Sequence, residues 1–296
     1  MPQLNRITLL SISDGKNIEA SRKSIEGFMK YNGSNVIGVN TGHSYEFEKM
    51  CNDLGACVYT PYKKFGYPTF TKDQCEEHAE FFYETTLRPS MMASTDYVLF
   101  GEPDCVFTKT IDRDVFDGSD IIIPSDKTPL KAMWAYTPFY DGFGNTSDER
   151  DYYINILIRR VEELCKHINL DLNRPGSKDM RFCLTANSIV KRDKIIQFYT
   201  KEKDSIIYLL KEITSAVDDI RPKIGINPVF SRYSINFSPD QMFSLIFGLY
   251  RFNWKINDNG HNCHYKDFKD ENDLKIFLEN NPKTEYIHAC KIYYNK

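Results

Sequence analysis

The chain has 296 residues, of which 41% are hydrophobic and 14% aromatic, which excludes disorder and supplies a sizeable core. A formal net charge of -3, with Lys and Arg scattered rather than gathered in a stripe, excludes a general attraction for nucleic acid. Eight cysteines without a C-x-x-C pair read as reduced thiols. Residues 1–12 lack a signal-peptide pattern and no uncharged span of about twenty apolar residues occurs, so the expectation is a cytoplasmic chain with no transmembrane segment.

In chain order, RITLLSI (6–12) is a β-type run that stops at Ser13-Asp14-Gly15, and Ile18, Ser21, Ile25 and Phe28 follow at helical spacing. Residues 35–39 form a second strand ending in Asn40-Thr41-Gly42. SYEFEKMCNDLG (44–55) reads as a helix closed by Gly55, and residues 56–59 as a third strand. After a Tyr- and Lys-rich loop, 72–84 looks helical and 97–100 is a fourth strand that runs straight into Glu102-Pro103-Asp104. Strands alternating with helices predict an α/β, mostly parallel central sheet with helices on both faces. In such sheets ligands gather beyond the carboxyl ends of the strands, where Ser13-Asp14, Asn40-Thr41 and Glu102–Asp104 all fall.

The second half is less regular: a strand at 120–124, a long helix at 149–167, a strand-like segment at 181–190 entering a helix at about 191–199, helices at 203–218 and 239–250, and a last strand near 286–289. With no repeat and no low-complexity linker, the expectation is one domain over 1–296, with a nucleotide-binding half over about 1–110. The acceptor-binding half and a closing segment would occupy about 111–296.

Two carboxylates are costly to bury without partners. At the end of a buried strand, Glu102 and Asp104 read either as an exposed turn or as the holders of a divalent cation and its nucleotide. In extended backbone, residues two apart point the same way, so both acids can face one ion. Ser11, Ser13 and Asn40 are candidate nucleoside contacts and equally good turn residues. Arg88, before Pro89, is a candidate for the pyrophosphate or a solvated surface cation. Ser238-Pro239-Asp240 is an ordinary helix start; its Asp240, with Asp218 and Asp219 in reserve, is a carboxylate of the type that can serve as a general base. HNCH (261–264) lacks the spacing of a structural zinc site and is expected to be a mobile loop.

LFGEPDCVF, GVNTG (38–42), RFCLTANSIVKRD (181–193), SPDQMFSLIF (238–247) and YIHACKIYY (286–294) together resemble the nucleotide-sugar glycosyltransferases of the GT-A (Rossmann-like) fold. The composition, heavy in Asn, Lys, Ile and Tyr, is similar to that of soluble members from large DNA viruses and bacteria, for which the location would be a host or bacterial cytoplasm. The resemblance implies a UDP- or GDP-sugar donor, a carbohydrate or glycoprotein acceptor, and Mn²⁺ or Mg²⁺ as cofactor. It implies Asp104 and His288 as metal ligands, with Glu102 on the metal, a metal-bound water or the ribose. It also implies Lys291 on phosphate, Asn187 beside Ala186 and Ser188 at the donor sugar, and Asp240 as the base of an inverting displacement. Glu102 departs from the commoner Asp. A nucleotidyltransferase making an activated sugar also uses acids after a strand but begins with a Gly-rich loop, and LLSISDGKN has only Gly15. A noncatalytic binding module with a degenerate metal site is the third alternative.

Overall fold

The computed structural model describes residues 6–65, 77, 80–81, 83–125, 188–197, 200, 253–262, 268–288 and 291–293. The strands are β1 (Ile7–Ser13), β2 (Val36–Asn40), β3 (Cys57–Tyr59), β4 (Tyr97–Gly101), β5 (Val106–Phe107), β6 (Ile121–Ser125), β7 (Ile189–Lys191), β8 (Trp254–Asn262) and β9 (Tyr286–His288). They form one nine-stranded sheet in the order β3-β2-β1-β4-β7-β6-β8-β9-β5. The β3-β2-β1-β4 part is parallel throughout, the strand order of a Rossmann-like half. Antiparallel pairing enters at β4–β7, β6–β7 and β5–β9, and β6–β8 and β8–β9 are parallel again. The expected α/β class with a mostly parallel sheet is therefore what the described residues form.

The parallel part follows directly from its sequence. Leu9, Leu10, Val98 and Leu99 are fully buried, so both faces of β1 and β4 are covered, the condition under which strands read as continuous apolar runs. Helix α1 (Ile18–Asn32) and helix α2 (Tyr45–Asp53) cover one face: Ile25, Phe28 and Phe47 join Leu9 and Leu99 in the main core. Helix α2 begins at Ser44, whose hydroxyl accepts from Phe47 N at 3.2 Å, and is followed by Gly55 at φ +76. It lies so close to β2 that a Cβ on Gly38 would stand 2.5 Å from Cys51 Sγ.

Several elements differ from expectation. The chain before β4 passes through a π-helical turn, Tyr83–Leu87, into a short helix, Arg88–Met92. Pro89 has no N–H to close onto the preceding turn, which favours the wider winding there. Strand β8 and the helix Glu271–Asn280 are additional elements. HNCH does not begin as a loop: His261 belongs to β8 and packs edge-on against Phe277 at 5.5 Å. Cys263 and His264 lie outside the described residues, as do the helices expected at 149–167, 203–218 and 239–250. Among the described residues no helix is long and apolar enough to cross a membrane.

Candidate metal centre

Strand β4 delivers the acidic pair. Gly101 closes it in register with Ser11 of β1, and Cys105 N then donates to Glu102 O at 3.1 Å. Glu102-Pro103-Asp104-Cys105 is thus a β-turn with Pro at its second position, where the fixed φ of proline suits it. The extended geometry expected for the two acids is replaced by this turn. Strand β5 follows at once and pairs antiparallel with β9, Val106 against Ile287 and Phe107 against Tyr286. The residue after Ile287 is His288, which the pairing carries back to the turn.

His288 Nε2 stands 3.5 Å from Glu102 Oε2 and 3.6 Å from Asp104 Oδ1. One ligand atom from each of the three residues falls within 4.8 Å of the others. Asp104 is 2% exposed and His288 7%, whereas Glu102 reaches solvent. Two carboxylates and an imidazole are a donor set for a divalent cation. An ion bound at about 2.1 Å holds neighbouring ligand atoms roughly 3–3.5 Å apart, close to the spacing seen, so the residues fit such an ion.

The remaining candidates divide by location. Ser13 and Asn40 sit opposite one another at the ends of β1 and β2. Ser13 Oγ accepts from Gly15 N at 3.1 Å and Ser21 Oγ at 3.3 Å. Asn40 closes its own loop, donating through Nδ2 to Ser44 O and accepting from Ser44 N at 2.8 Å. Ser11, two residues before Ser13, shares its face of the strand, the face covered by α1 and α2, and is 1% exposed. Arg88 is half exposed; it pairs with Glu84 at 3.1 Å and lies over the Tyr83 ring at 5.2 Å from its centroid. Glu84 is buried and also accepts from Tyr59 Oη, and burial followed by this contact raises the Tyr59 phenol above its ordinary range. Lys291 opens the 3₁₀ turn Lys291–Tyr293, three residues past His288. Asn187, Asp240, Asp218 and Asp219 lie outside the described residues.

Sequence reasoning passed over a buried polar group beside this cluster. Glu285, 3% exposed, accepts from Asn257 Nδ2 at 2.7 Å, Asn259 Nδ2 at 3.3 Å and Asp112 N at 3.1 Å. Burial raises its carboxyl above the ordinary value, and these three hydrogen bonds pull the other way. The signal present in the sequence was the run Asn257-Asp258-Asn259 inside an otherwise strand-like segment, which reads as a turn when taken alone.

No protein-family model matches the sequence, and no curated protein matches it. Solved structures similar in shape include glycosyltransferases. The bifunctional glycosyltransferase WbbM aligns with 97% of this chain and 46% of its own at 12% identity and a TM-score of 0.48. Mouse xyloside xylosyltransferase 1 aligns over 97% and 98% at 9% identity and a TM-score of 0.47. The glycosyltransferase GlyE of Streptococcus pneumoniae aligns over 95% and 54% at 9% identity and 0.44. The chain thus spans about half the length of WbbM and GlyE.

Proposed function

We propose that the chain is a metal-dependent glycosyltransferase of the GT-A type, moving a hexosyl or pentosyl group from a nucleoside-diphosphate sugar to a hydroxyl acceptor. The observation that carries this reading is the convergence of Glu102, Asp104 and His288 beyond the carboxyl ends of β4 and β9, where open α/β sheets take their ligands. A bound Mn²⁺ or Mg²⁺ would supply charge to neutralise the diphosphate as it leaves.

The chain's own residues have these parts. Asp104 and His288 hold the cation from the buried side. Glu102, at the solvent edge, takes a water of the cation or the ribose hydroxyls. Lys291 pairs with phosphate, and Arg88 reaches the pyrophosphate by exchanging Glu84 for it. The loops that Ser13 and Asn40 lock in shape form the floor for the nucleoside, with Ser11 beneath them. Asn187 meets the donor sugar. Asp240, with Asp218 and Asp219 as alternates, removes the acceptor proton in an inverting displacement.

The test is titration of UDP and GDP with and without Mn²⁺. Wild type should bind one of them far better with the ion. Asp104→Asn and His288→Ala should each weaken that binding by about 5–150-fold, the equivalent of ~1–3 kcal/mol for a charge-assisted contact, with thermal unfolding nearly unchanged. Metal-independent nucleotide binding in both variants and wild type would refute the reading, and no binding at all would leave a noncatalytic module.

A further inference from the structure

The cluster is made by two short segments distant in sequence, the turn that carries Glu102 and Asp104 and strand β9, and β9 contributes its imidazole from a strand of only three residues, Tyr286–His288. Alternate residues of a strand face opposite sides, so a slip of one position would replace His288 at the cluster by Ile287. A three-residue strand has few ladder hydrogen bonds with which to resist that slip. Something beyond the ladder must fix the register.

Glu285, the residue before β9, is placed to do so. Its main chain is tied on both sides: its N–H donates to Asn259 O at 2.8 Å, and its carbonyl accepts from Thr108 N at 2.8 Å and Lys109 N at 3.1 Å. Its side chain then spans the same two neighbours. Oε2 takes Asn257 Nδ2 from β8, and Oε1 takes Asn259 Nδ2 and Asp112 N. Asn257 is itself buried and oriented, since its Oδ1 accepts from Asn259 N at 3.0 Å. All three groups facing the carboxylate are donors. A slip of one position would set Thr284 or Tyr286 against them, with a single hydroxyl oxygen in place of two carboxylate oxygens, leaving buried donors unmet at a cost of about 1–3 kcal/mol apiece.

We propose that Glu285 is the positioning residue of the metal centre: its carboxylate, read by the amides of Asn257 and Asn259 and the backbone of Asp112, sets the register of β9 and so aims His288 at Glu102 and Asp104. This inference rests on the cluster holding a cation. Glu285 touches no ligand of that cation and acts through three residues of chain.

The experiment measures Mn²⁺ alone, by loss of the free-ion EPR signal, on the full chain well below its unfolding temperature. Glu285→Gln puts an NH₂ against donors and should weaken Mn²⁺ binding roughly tenfold or more, the range seen when a group that orients a ligand is lost. Adding Asn257→Asp to that variant should restore most of the affinity. The new amide then donates to a carboxylate at 257, Oε1 keeps its two donors, and the charge is conserved. A purely structural role would lower the unfolding midpoint in Glu285→Gln and leave Mn²⁺ affinity at wild-type strength, and that result overturns the proposal. So does failure of Asn257→Asp to rescue a folded Glu285→Gln protein. Should Glu285→Gln not fold, Asn259→Ala removes only the outer amide; a few-fold loss supports the proposal and unchanged affinity overturns it. Wild type that binds no Mn²⁺ refutes the metal reading together with this one, whereas binding equal in wild type and variants refutes this one alone.

Discussion

Strand β1 and strand β9 carry their residues to the same end of the sheet by different means. Seven-residue β1 lies between two parallel strands of five residues each, buried on both faces, with Leu9, Ile25, Phe28 and Phe47 packed across the strand–helix interface. Around β9 the packing divides: Tyr286 reaches the main core, Phe268, Leu274, Ile287 and Ile292 form a small separate cluster, and Asn257, Thr284 and Glu285 are buried polar groups. Apolar packing is tolerant of substitution but non-directional. A satisfied polar network is directional and fails abruptly when one member is changed. The first suits a frame, and the second suits a segment whose job is to bring one side chain to one place.

Cavity creation should expose that difference most strongly. Phe28→Ala removes a fully buried ring that meets Phe107 edge-on at 5.2 Å and should cost about 3–5 kcal/mol in denaturant unfolding. Leu274→Ala, in the small cluster beneath the Glu271–Asn280 helix, should cost no more than about 2 kcal/mol, the lower end for such truncations, because the site lies near solvent and can collapse. Equal losses would mean that the small cluster around Leu274 is as rigidly packed as the main core.

The two regions should also answer pH with opposite sign. Burial raises Asp14, beside β1, but hydrogen bonds and charge from Lys16 outweigh it and hold its carboxyl below the ordinary value. Its contribution is present above the unfolded value and is lost as pH falls through the folded one. Glu285 is raised by burial, so its contribution is complete below the unfolded value and is lost as pH rises through the folded one. Urea unfolding between about pH 3 and pH 7 should therefore lose an acid-side decline in Asp14→Asn and a neutral-side decline in Glu285→Gln. Parallel curves for wild type and both variants would show that neither carboxylate is linked to folding.

The finest distinction lies in thiol reactivity. Cys51 is fully buried against β2, and burial together with Glu48 pushes its thiol up to about 12. Cys57, on edge strand β3, is exposed. Brief alkylation of native protein, read residue by residue by mass spectrometry, should modify Cys57 and spare Cys51 and Cys105. Labelling of Cys51 at the rate of Cys57 would show that α2 is loosely packed on the sheet.

What the sequence made legible follows the same division. Strands β1, β2 and β4 and helices α1 and α2 could be read within a residue or a few of their ends, because local periodicity, Ser44 and Gly55 all agree with the tertiary frame. The E-x-D turn and the YIH strand were legible as segments. Their meeting came only through the family resemblance and from no local pattern, since it depends on the antiparallel β5–β9 pair, and a two-residue strand has no period to detect. Strand β8 was hidden because WKINDNGHN carries a buried amide, Asn257, where a strand would ordinarily show an apolar group. A buried Asn is recognisable only once Glu285 is seen beside it.

The hydrogen bond from Asp112 N to Glu285 joins positions 173 residues apart, whereas β1, β2 and β4 meet within the first hundred or so. Loop-closure entropy rises with separation, by about 0.6 kcal/mol for each doubling, and distant pairings form late unless something else draws them together. The frame can therefore mature while Glu102 and Asp104 still face water without their imidazole. Under the proposed function, a chain competent to retain Mn²⁺ has already brought β5 and β9 together, and capture of the ion during refolding would time that docking.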